Sequence, residues 1–442
     1  MPLRFALALV TAAIVLCPAP WAAARAADIP PVSDAELEQA LALAGTNRVQ
    51  LEQALLDCEW RPFGKLAMRF LIASLPLVDL GTITRDELVE NLDLAIEART
   101  EFDYAMAPEN PASLGTLGRG ELLEHPDLAM QQVPDNGFKI AYDNALWAHY
   151  VLPPRVSQEP LSPWRAYFHE QLRDVVKDCK TLDEAALKVN YWCGERVRFQ
   201  QTQSRDQHAL ATLKSGYGRC EEEVIFFISA CRAVGIPARQ AYCPFWAVSD
   251  NNHAWAEVYA GDGRWHYVGA CEPAPALDSA WFGGAVKQAP LIVSVCFGLP
   301  GATEPRGGTF LVNENGEEIL SLKEDLGARY CLLNSTANYR QTGRLVIEEP
   351  AGAPSTPGTR GLYLHVYNWG ALRDIARLPF KSGVVSVALG AGDYQLSCDA
   401  PDGPRTVLVR VQPNVDSRIA WDAQVEEPAD AVLQFPADPL TP

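Results

Sequence analysis

Two residues near the middle of the chain, Cys220 and His253, have the side chains and the spacing for nucleophilic chemistry. Gly216 and Gly218 precede the cysteine and an apolar pattern of helical period follows it, so the sequence predicts that Cys220 begins a helix. Free backbone amides and the positive end of the helix dipole favour a thiolate there, and the thiolate is the form that attacks carbonyl carbon. The same amides could hold the oxyanion that such an attack creates.

The histidine begins a segment that reads as a strand. Residues 253–259 have alternating faces, and after a Gly-Asp-Gly turn residues 265–268 read as the hairpin partner. If the chain runs back from the helix through this strand, the imidazole of His253 comes close to the thiol of Cys220 and can act as its base. A base needs an orienting acceptor on its second nitrogen, and the acids within reach of the second strand are Glu272 and Asp278. Of these two acids we prefer Glu272.

Three acids directly after the cysteine complicate this prediction. Glu221, Glu222 and Glu223 suit the positive end of a helix, but their charges oppose a negative sulfur beside them. A cationic imidazole is therefore expected next to Cys220 to offset them, and His253 is its predicted source.

The flanking segments predict the elements that position these residues. Residues 28 to about 200 read mainly as helix, with loops and short helices at about 104–160, where Pro, Gly and Asn are frequent. From about 340 the apolar residues alternate with period two between Gly, Pro and Asp turns, which predicts short strands and a small β-sandwich. Three capping boxes mark helix starts: Ser33-x-x-Glu36, Thr84-x-x-Glu87 and Thr181-x-x-Glu184.

The chain starts with the pattern of an export signal. One arginine precedes an apolar run and a small-residue site, so the mature chain is expected to begin near Ala27, in the periplasm or outside the cell. No later stretch approaches the twenty or so apolar residues of a membrane span. The formal net charge of -18 argues against nucleic acid or an anionic membrane as a partner.

Other kinds of site lack a starting motif. No CxxC occurs among the cysteines, so we expect no structural zinc, although Cys220, Cys231, Cys243 and His253 could be drawn as a cluster. Cys179 and Cys193 flank one predicted helix and are the pair favoured for a disulfide. There is no GxSxG, P-loop or HExxH motif for a serine hydrolase, a nucleotide enzyme or a zinc protease.

At these residues the sequence resembles the transglutaminase-like superfamily. The matching features are Cys220 at a helix start, the Gly-Ile-Pro-Ala-Arg turn at 235–239, the His-Ala-Trp strand at 253–255, and Glu272 followed by a proline. The resemblance covers roughly residues 180–285, and extends more loosely to exported bacterial proteins with a helical segment before this core and a β-domain after it. It implies a papain-like α+β core, a Cys-His-acid triad and chemistry through a thioester.

One position departs from the family pattern. The family usually has an aspartate about four residues after the tryptophan of the second strand, and Gly269 stands at that position here. Glu272 follows three residues later. Either a bulge re-aims the strand so that Glu272 completes the triad, or the third member is missing or comes from elsewhere. The motif does not assign an oxyanion side chain.

The chain as a whole is predicted to be an α+β protein. A papain-like transglutaminase core is preceded by a helical region and followed by a small β-sandwich domain. The predicted parts are a signal peptide (1–26), a helical N-terminal region (27–175), the transglutaminase-like catalytic core (176–300), a connecting segment (301–340), an Ig- or prealbumin-like β-sandwich (341–425) and a Pro-rich acidic tail (426–442).

The predicted function is a cysteine-dependent acyl transfer on amide bonds of a protein or peptide substrate, through a thioester on Cys220. Cys220, His253 and Glu272 are the predicted catalytic residues, Trp255 and Asn252 are predicted to bind substrate, and no cofactor or metal is expected. Hydrolysis, as by a peptidase or amidase, is favoured over cross-linking. The alternative is a catalytically silent binding protein of the same fold that recognises protein or glycan through its β-domain. The oligomeric state stays open.

Overall fold

The computed structural model describes the chain from residue 29 to residue 433, with internal gaps. The described residues are 29–59, 62–102, 104, 106–108, 138–140, 142–202, 206–298, 310–312, 318–321, 330–348, 361–379, 383–398, 405–421 and 428–433. The predicted signal peptide lies outside them, as do much of the predicted connecting segment and most of the predicted tail. Along these residues, no helix combines the length and the apolar character that crossing a membrane requires.

Helices dominate the described chain before residue 234. The side chains of Ser33, Thr84 and Thr181 each accept a hydrogen bond from the backbone N–H three residues later, which confirms the three predicted helix starts. The helices are α1 (Asp34–Leu43), α2 (Arg48–Asp57), α3 (Pro62–Ser74), α4 (Leu77–Leu80), α5 (Arg85–Glu101), α6 (Asn144–Tyr150), α7 (Trp164–Val176), α8 (Leu182–Gly194), α9 (Ala209–Ser215), α10 (Cys220–Ala233) and α11 (Gly283–Val286).

Strands dominate the second half. They are β1 (Met106–Pro108), β2 (Phe138–Ile140), β3 (Arg198–Phe199), β4 (Tyr217–Gly218), β5 (Ala238–Cys243), β6 (His253–Tyr259), β7 (Trp265–Val268), β8 (Val293–Phe297), β9 (Phe310–Val312), β10 (Glu318–Ser321), β11 (Tyr330–Asn334), β12 (Thr342–Glu348), β13 (Gly361–Asn368), β14 (Ala371–Pro379), β15 (Val384–Gly390), β16 (Gly392–Cys398), β17 (Arg405–Val411) and β18 (Asp416–Ala420). Eleven of these form one sheet in the order β17-β16-β13-β14-β10-β9-β11-β8-β5-β6-β7. A second sheet has the order β15-β12-β18.

Helix α10 is the central element of the core. Every residue of it from Glu222 to Ala233 is buried, because α7, α8 and α9 cover it on one side and β5 and β6 on the other. Gly235 ends it in the left-handed region, at φ +76°, and a Cβ there would lie 2.6 Å from the carbonyl oxygen of Ala98. The turn therefore requires glycine, and it leads the chain directly from the helix into β5.

One sheet runs through the core into the C-terminal strands. Ala241 on β5 pairs with Ser294 on β8, and β8 continues to the later strands through β11. Apolar side chains of the long sheet, such as Leu364, share a second core with Ile347 and Val387 of the three-stranded sheet. The α+β class is confirmed. The domain boundaries and the β-sandwich assignment stay predictions.

Candidate active site

Cys220 is the first residue of α10, where the sequence predicts a helix start. Its thiol donates a hydrogen bond to the carboxylate of Glu221, with 3.0 Å between Sγ and Oε2. The sulfur also has a hydrogen bond with the backbone of Ala254, the residue after His253. The start of the helix and the start of β6 therefore meet at this sulfur.

The surroundings of Cys220 favour the neutral thiol. Burial raises the pKa of the thiol well above its ordinary value, and the adjacent Glu221 carboxylate raises it further. Hydrogen bonds with the backbone of Ala254 and Glu221 act in the opposite direction but are the smaller contributions. The expectation of a resting thiolate is wrong for this conformation, because lost hydration and a neighbouring negative charge outweigh the helix dipole.

His253 is buried at the first position of β6. Its ring packs against Trp281 and Phe282, with centroid distances of 4.8 Å and 4.7 Å. Its buried Nε2 has no hydrogen-bond partner among the described residues. Burial lowers the pKa of the imidazole to about 3, so His253 is neutral and is not the cation expected from the sequence. No hydrogen bond joins it to Cys220 within the described chain.

Glu272 lies in the turn after β7, and its backbone N–H donates to the carbonyl of Gly269 at 3.1 Å. A Cβ at Gly269 would lie 2.8 Å from Oε2 of Glu272, so the glutamate carboxylate fills the space that a side chain at 269 would enter. The indole N–H of Trp281 donates to the same oxygen at 2.8 Å. Glu272 therefore reaches His253 through Trp281, which contacts both, and has no hydrogen bond with the imidazole in the described structure.

A second acid stands beside Glu272. Glu223 is 3 % exposed, and its Oε1 has no hydrogen-bond partner among the described residues. Burial raises the pKa of Glu223 to about 9, and the charges of Glu272 and Glu222 contribute to the increase. Glu223 is thus protonated at neutral pH, which removes charge repulsion between two acids on adjacent elements.

A cleft of about 330 Å³ opens beside these residues. Glu221, Asn252, His253 and Gln240 line one side, and residues 372–375 of β14 line the other. The side-chain oxygen of Gln240 is buried and has no hydrogen-bond partner in the described chain. The cleft has the volume of a small-ligand or peptide side-chain pocket, and Gln240 and His253 are two of the polar residues in its lining.

An asparagine from the C-terminal strands holds the loop that leads into His253. The side-chain N–H2 of Asn368, at the end of β13, donates to the carbonyls of Trp246 and Ser249 at 2.9 Å. The backbone N–H of Asn251 donates back to the Asn368 oxygen at 3.2 Å. Asn251 has φ 138°, a backbone angle that non-glycine residues rarely adopt, so this loop depends on contacts from outside it.

The two residues predicted to bind substrate have different positions. Trp255 is fully buried, its indole N–H donates to the hydroxyl of Tyr339 at 2.8 Å, and its ring stacks on Trp246. It does not line the cleft, so its predicted substrate contact is corrected to a packing role. Asn252 is exposed and lines the cleft, where its predicted role stays open to test.

Cysteine and acidic clusters elsewhere do not form part of this site. Within the described residues, the one group of three or more possible metal ligands is Glu97, Glu101 and His169, between α5 and α7. His169 and Arg173 both donate to the Glu101 carboxylate, at 2.7 Å and 2.8 Å. These carboxylate oxygens are therefore already paired with protein donors.

Residues 170–270 match the family model of the transglutaminase-like superfamily. Residues 170–270 are a transglutaminase-like core. No curated protein matches the chain.

Solved structures show only a weak likeness to this chain. A candidate cysteine protease from Cytophaga hutchinsonii is 21% identical over 26% of this chain and 40% of its own, with a TM-score of 0.22. This chain thus spans two fifths of that protein. Red sea bream transglutaminase is 10% identical over 57% of this chain and 56% of its own, with a TM-score of 0.21. A candidate cell adhesion protein from Bacteroides ovatus is 9% identical over 42% and 86%, with a TM-score of 0.15. Because these TM-scores are low, we conclude nothing about this chain from the three structures.

The sequence did not point to Trp281, Gln240 or Asn368. Trp281 follows Glu272 in a stretch without periodicity, and Gln240 is one polar residue in a buried strand of the transglutaminase-like core. Asn368 precedes Trp369 and Gly370, which have positive φ and form the turn between β13 and β14. A turn was recognisable there, but Asn368 contacts the loop before His253, which lies more than a hundred residues earlier in the sequence. No local sequence pattern indicates such a contact.

Replacing Glu221 with glutamine is expected to lower the pKa of Cys220, because the amide removes the negative charge beside the sulfur. The second-order rate of Cys220 alkylation by iodoacetamide at pH 7.5 should rise about tenfold for each unit by which that pKa falls. Peptide mapping after timed quenching measures this rate. Glu195→Gln, which removes an exposed charge at the end of α8, is the control. An unchanged rate in Glu221→Gln would show that burial alone sets the pKa.

Proposed function

We propose that this transglutaminase-like protein is an exported cysteine-dependent acyl-transfer enzyme that acts on amide bonds through a thioester on Cys220. One observation carries the proposal: the sulfur at the start of α10 is hydrogen-bonded to the backbone of Ala254, directly after His253. Nucleophile and base thus lie on adjoining elements of a transglutaminase-like core, beside a cleft.

The chemistry starts from a neutral thiol and a neutral imidazole. His253 accepts the thiol proton as the sulfur attacks the substrate carbonyl, and backbone amides near Cys220 stabilise the oxyanion. The imidazolium then returns the proton to the leaving amine, which departs as the thioester forms. Water attacks the thioester in the second half, which yields a carboxylic acid and the free thiol. Because burial lowers its pKa to about 3, the imidazole holds no proton before the attack, but it is a weak base until the substrate and the developing negative charge on sulfur stabilise the imidazolium.

Two side chains prepare the site for this reaction. The Glu221 carboxylate holds the thiol proton on the cleft side, so it must turn away before His253 can take that proton. The Glu272 carboxylate fixes the indole of Trp281, whose ring packs on His253. We assign Glu272 the place of the third member of the triad, as a positioning residue that acts on the imidazole through Trp281.

A protein or peptide substrate fits the polar groups of the cleft. An extended chain has carbonyls and N–H groups for the exposed amide of Asn252, which lines the cleft. Hydrolysis is proposed over cross-linking because water reaches an open cleft without a second binding site.

The test is to trap the thioester. The full chain is incubated with p-nitrophenyl acetate, a generic activated acyl donor, quenched in acid and mapped by mass spectrometry. We expect an acetyl group on Cys220 that hydroxylamine releases, its loss to chemical background in Cys220→Ala, and its retention in Cys58→Ala, a buried cysteine between α2 and α3. The same acetylation in Cys220→Ala would overturn the proposal. Repeating the reaction with a glutamine-containing peptide and methylamine separates hydrolysis, which gives a carboxylic acid, from transfer, which gives the methylamide.

The second candidate is a binding protein without catalysis. One observation favours it: in this conformation Cys220 is bonded to Glu221, and the buried nitrogen of His253 has no hydrogen-bond partner within the described residues. The C-terminal strands also form one wall of the cleft. A chain that binds peptides in the cleft but forms no acyl adduct in either arm of the trapping experiment would be this binding protein.

A further inference from the structure

The end of helix α8 is fitted closely to the turn that carries Glu272. Asn190 on α8 donates from its side-chain amide to the carbonyl of Gly269 at 2.9 Å, and its oxygen accepts the backbone N–H of Cys271 at 2.9 Å. One buried side chain therefore satisfies both arms of the turn.

The two backbones also approach each other directly. A Cβ on Gly194 would lie 2.7 Å from Cδ of Pro273 and 2.8 Å from the carbonyl oxygen of Cys271, closer than side chains tolerate. Only glycine permits this contact. Disulfides require Cα atoms within about 7 Å of each other, and the close approach of Gly194 to the Cys271 carbonyl brings the two backbones together directly beside Cys193.

Cys193 and Cys271 face each other across this contact. Cys193 lies three residues after Asn190, on the same face of α8, and its thiol interacts with that of Cys271. The Cys271 thiol donates a hydrogen bond to the carbonyl of Glu223, with 3.6 Å between Sγ and the oxygen. Both are free thiols in this structure, with exposures of 0% and 6%. Cys179, the partner predicted from the sequence, is also free and interacts with Lys188.

We propose that Cys193 and Cys271 form a disulfide that fastens the Glu272 turn to helix α8. The oxidant is a small-molecule disulfide such as oxidised glutathione. One protein thiolate attacks it and releases one glutathione thiol, and the second protein thiolate attacks the mixed disulfide and releases the other. Two cysteine thiols are oxidised and one glutathione disulfide is reduced, with no other reactant.

The bond would close a loop that contains both Cys220 and His253. It would reduce the number of conformations open to the unfolded chain, which stabilises the folded state in the usual model of disulfides. It would also hold Cys271, the residue next to Glu272, in place. Cys271 has φ +60°, in the left-handed region, so the turn is a conformation that a cross-link would help to keep. This inference does not rest on the proposed activity, since a silent binding protein would form the same bond.

The experiment maps the cysteines of the full chain after equilibration in glutathione buffers of graded oxidised-to-reduced ratio. Because both thiols are buried, one sample is equilibrated folded and one is refolded from denaturant in the same buffers. Remaining thiols are then alkylated in denaturant and the peptides are analysed by mass spectrometry without reduction. We expect one cross-linked peptide pair containing Cys193 and Cys271, and a melting temperature several degrees higher than in dithiothreitol.

Matched variants make the result decisive. Cys193→Ser and Cys271→Ser should each lose the cross-link and the difference in melting temperature, whereas Cys58→Ser should retain both. Alkylation of both thiols at every ratio, in the folded and the refolded samples, would overturn the proposal. A bond from Cys193 to Cys231, its other neighbouring thiol, would overturn it as well.

Discussion

Replacing His253 with alanine is expected to slow acylation of Cys220 by about 100- to 10,000-fold, the usual contribution of a positioned general base. The physical reason lies in the resting state. Burial and Glu221 keep the Cys220 thiol neutral, so attack on a carbonyl requires a group that accepts its proton. His253, with its pKa lowered to about 3 and its buried nitrogen unpartnered among the described residues, is the neutral imidazole at that position.

The measurement is the rate of acetyl transfer from p-nitrophenyl acetate to Cys220 between pH 5 and pH 10. In His253→Ala the residual rate should rise with pH into the alkaline range, because only the free thiolate can then react. His266→Ala is the matched control, since His266 lies on the next strand, where Asp262 and Asp278 are its partners. Equal rates in His253→Ala and the parent protein at neutral pH would exclude His253 as the base.

Replacing Glu223 with glutamine is expected to stabilise the fold, increasingly as the pH rises. A carboxyl whose folded pKa is raised from 4.5 to about 9 binds its proton more tightly in the folded state, so the parent protein is most stable below about pH 4.5 and loses stability up to about pH 9. Glutamine has the shape of the protonated acid and avoids this loss. The gain in the free energy of unfolding at pH 7 should be on the order of 3 kcal/mol.

Urea unfolding of the two proteins at pH values from 5 to 9 tests this expectation. The difference in stability should be small at pH 5 and increase steadily to pH 9. Glu195→Gln, at an exposed position, should show no such trend. A constant difference across the range would mean that Glu223 does not titrate on unfolding. If Glu223→Gln is stabilised as expected but transfers acyl groups more slowly than the parent protein, the Glu223 carboxyl contributes to activity at a cost in stability.

Local sequence patterns were sufficient for the elements that bear the candidate nucleophile and base. The capping boxes at Ser33, Thr84 and Thr181 correctly predicted three helix starts because a cap involves residues only three positions apart. The glycines before Cys220 and the apolar period after it placed that cysteine at the first position of α10. The alternation after His253 gave strand β6. The order of these motifs was enough to indicate a transglutaminase-like core.

The protonation states and the neighbours of those residues were decided by the tertiary structure. The helix dipole alone favoured a thiolate, but burial and the Glu221 carboxylate reversed that preference. The uncertainty at Gly269 was also spatial: the turn brings the carboxylate of Glu272 into the space beside that glycine, with Trp281 between it and the imidazole. A sequence specifies which groups are charged in water, and only the folded chain determines which of them lose that water.

Contacts between segments that are distant in sequence were also decided by the tertiary structure. Asn368 binds the loop before His253 across more than a hundred residues, and Cys193 meets Cys271 instead of Cys179. Such pairs have no periodicity to reveal them, because they arise where separately formed elements pack against each other. The sequence by itself determined the elements and the candidate nucleophile and base. The packing of α8, α10, β6 and the C-terminal strands decided how those residues are paired, protonated and held.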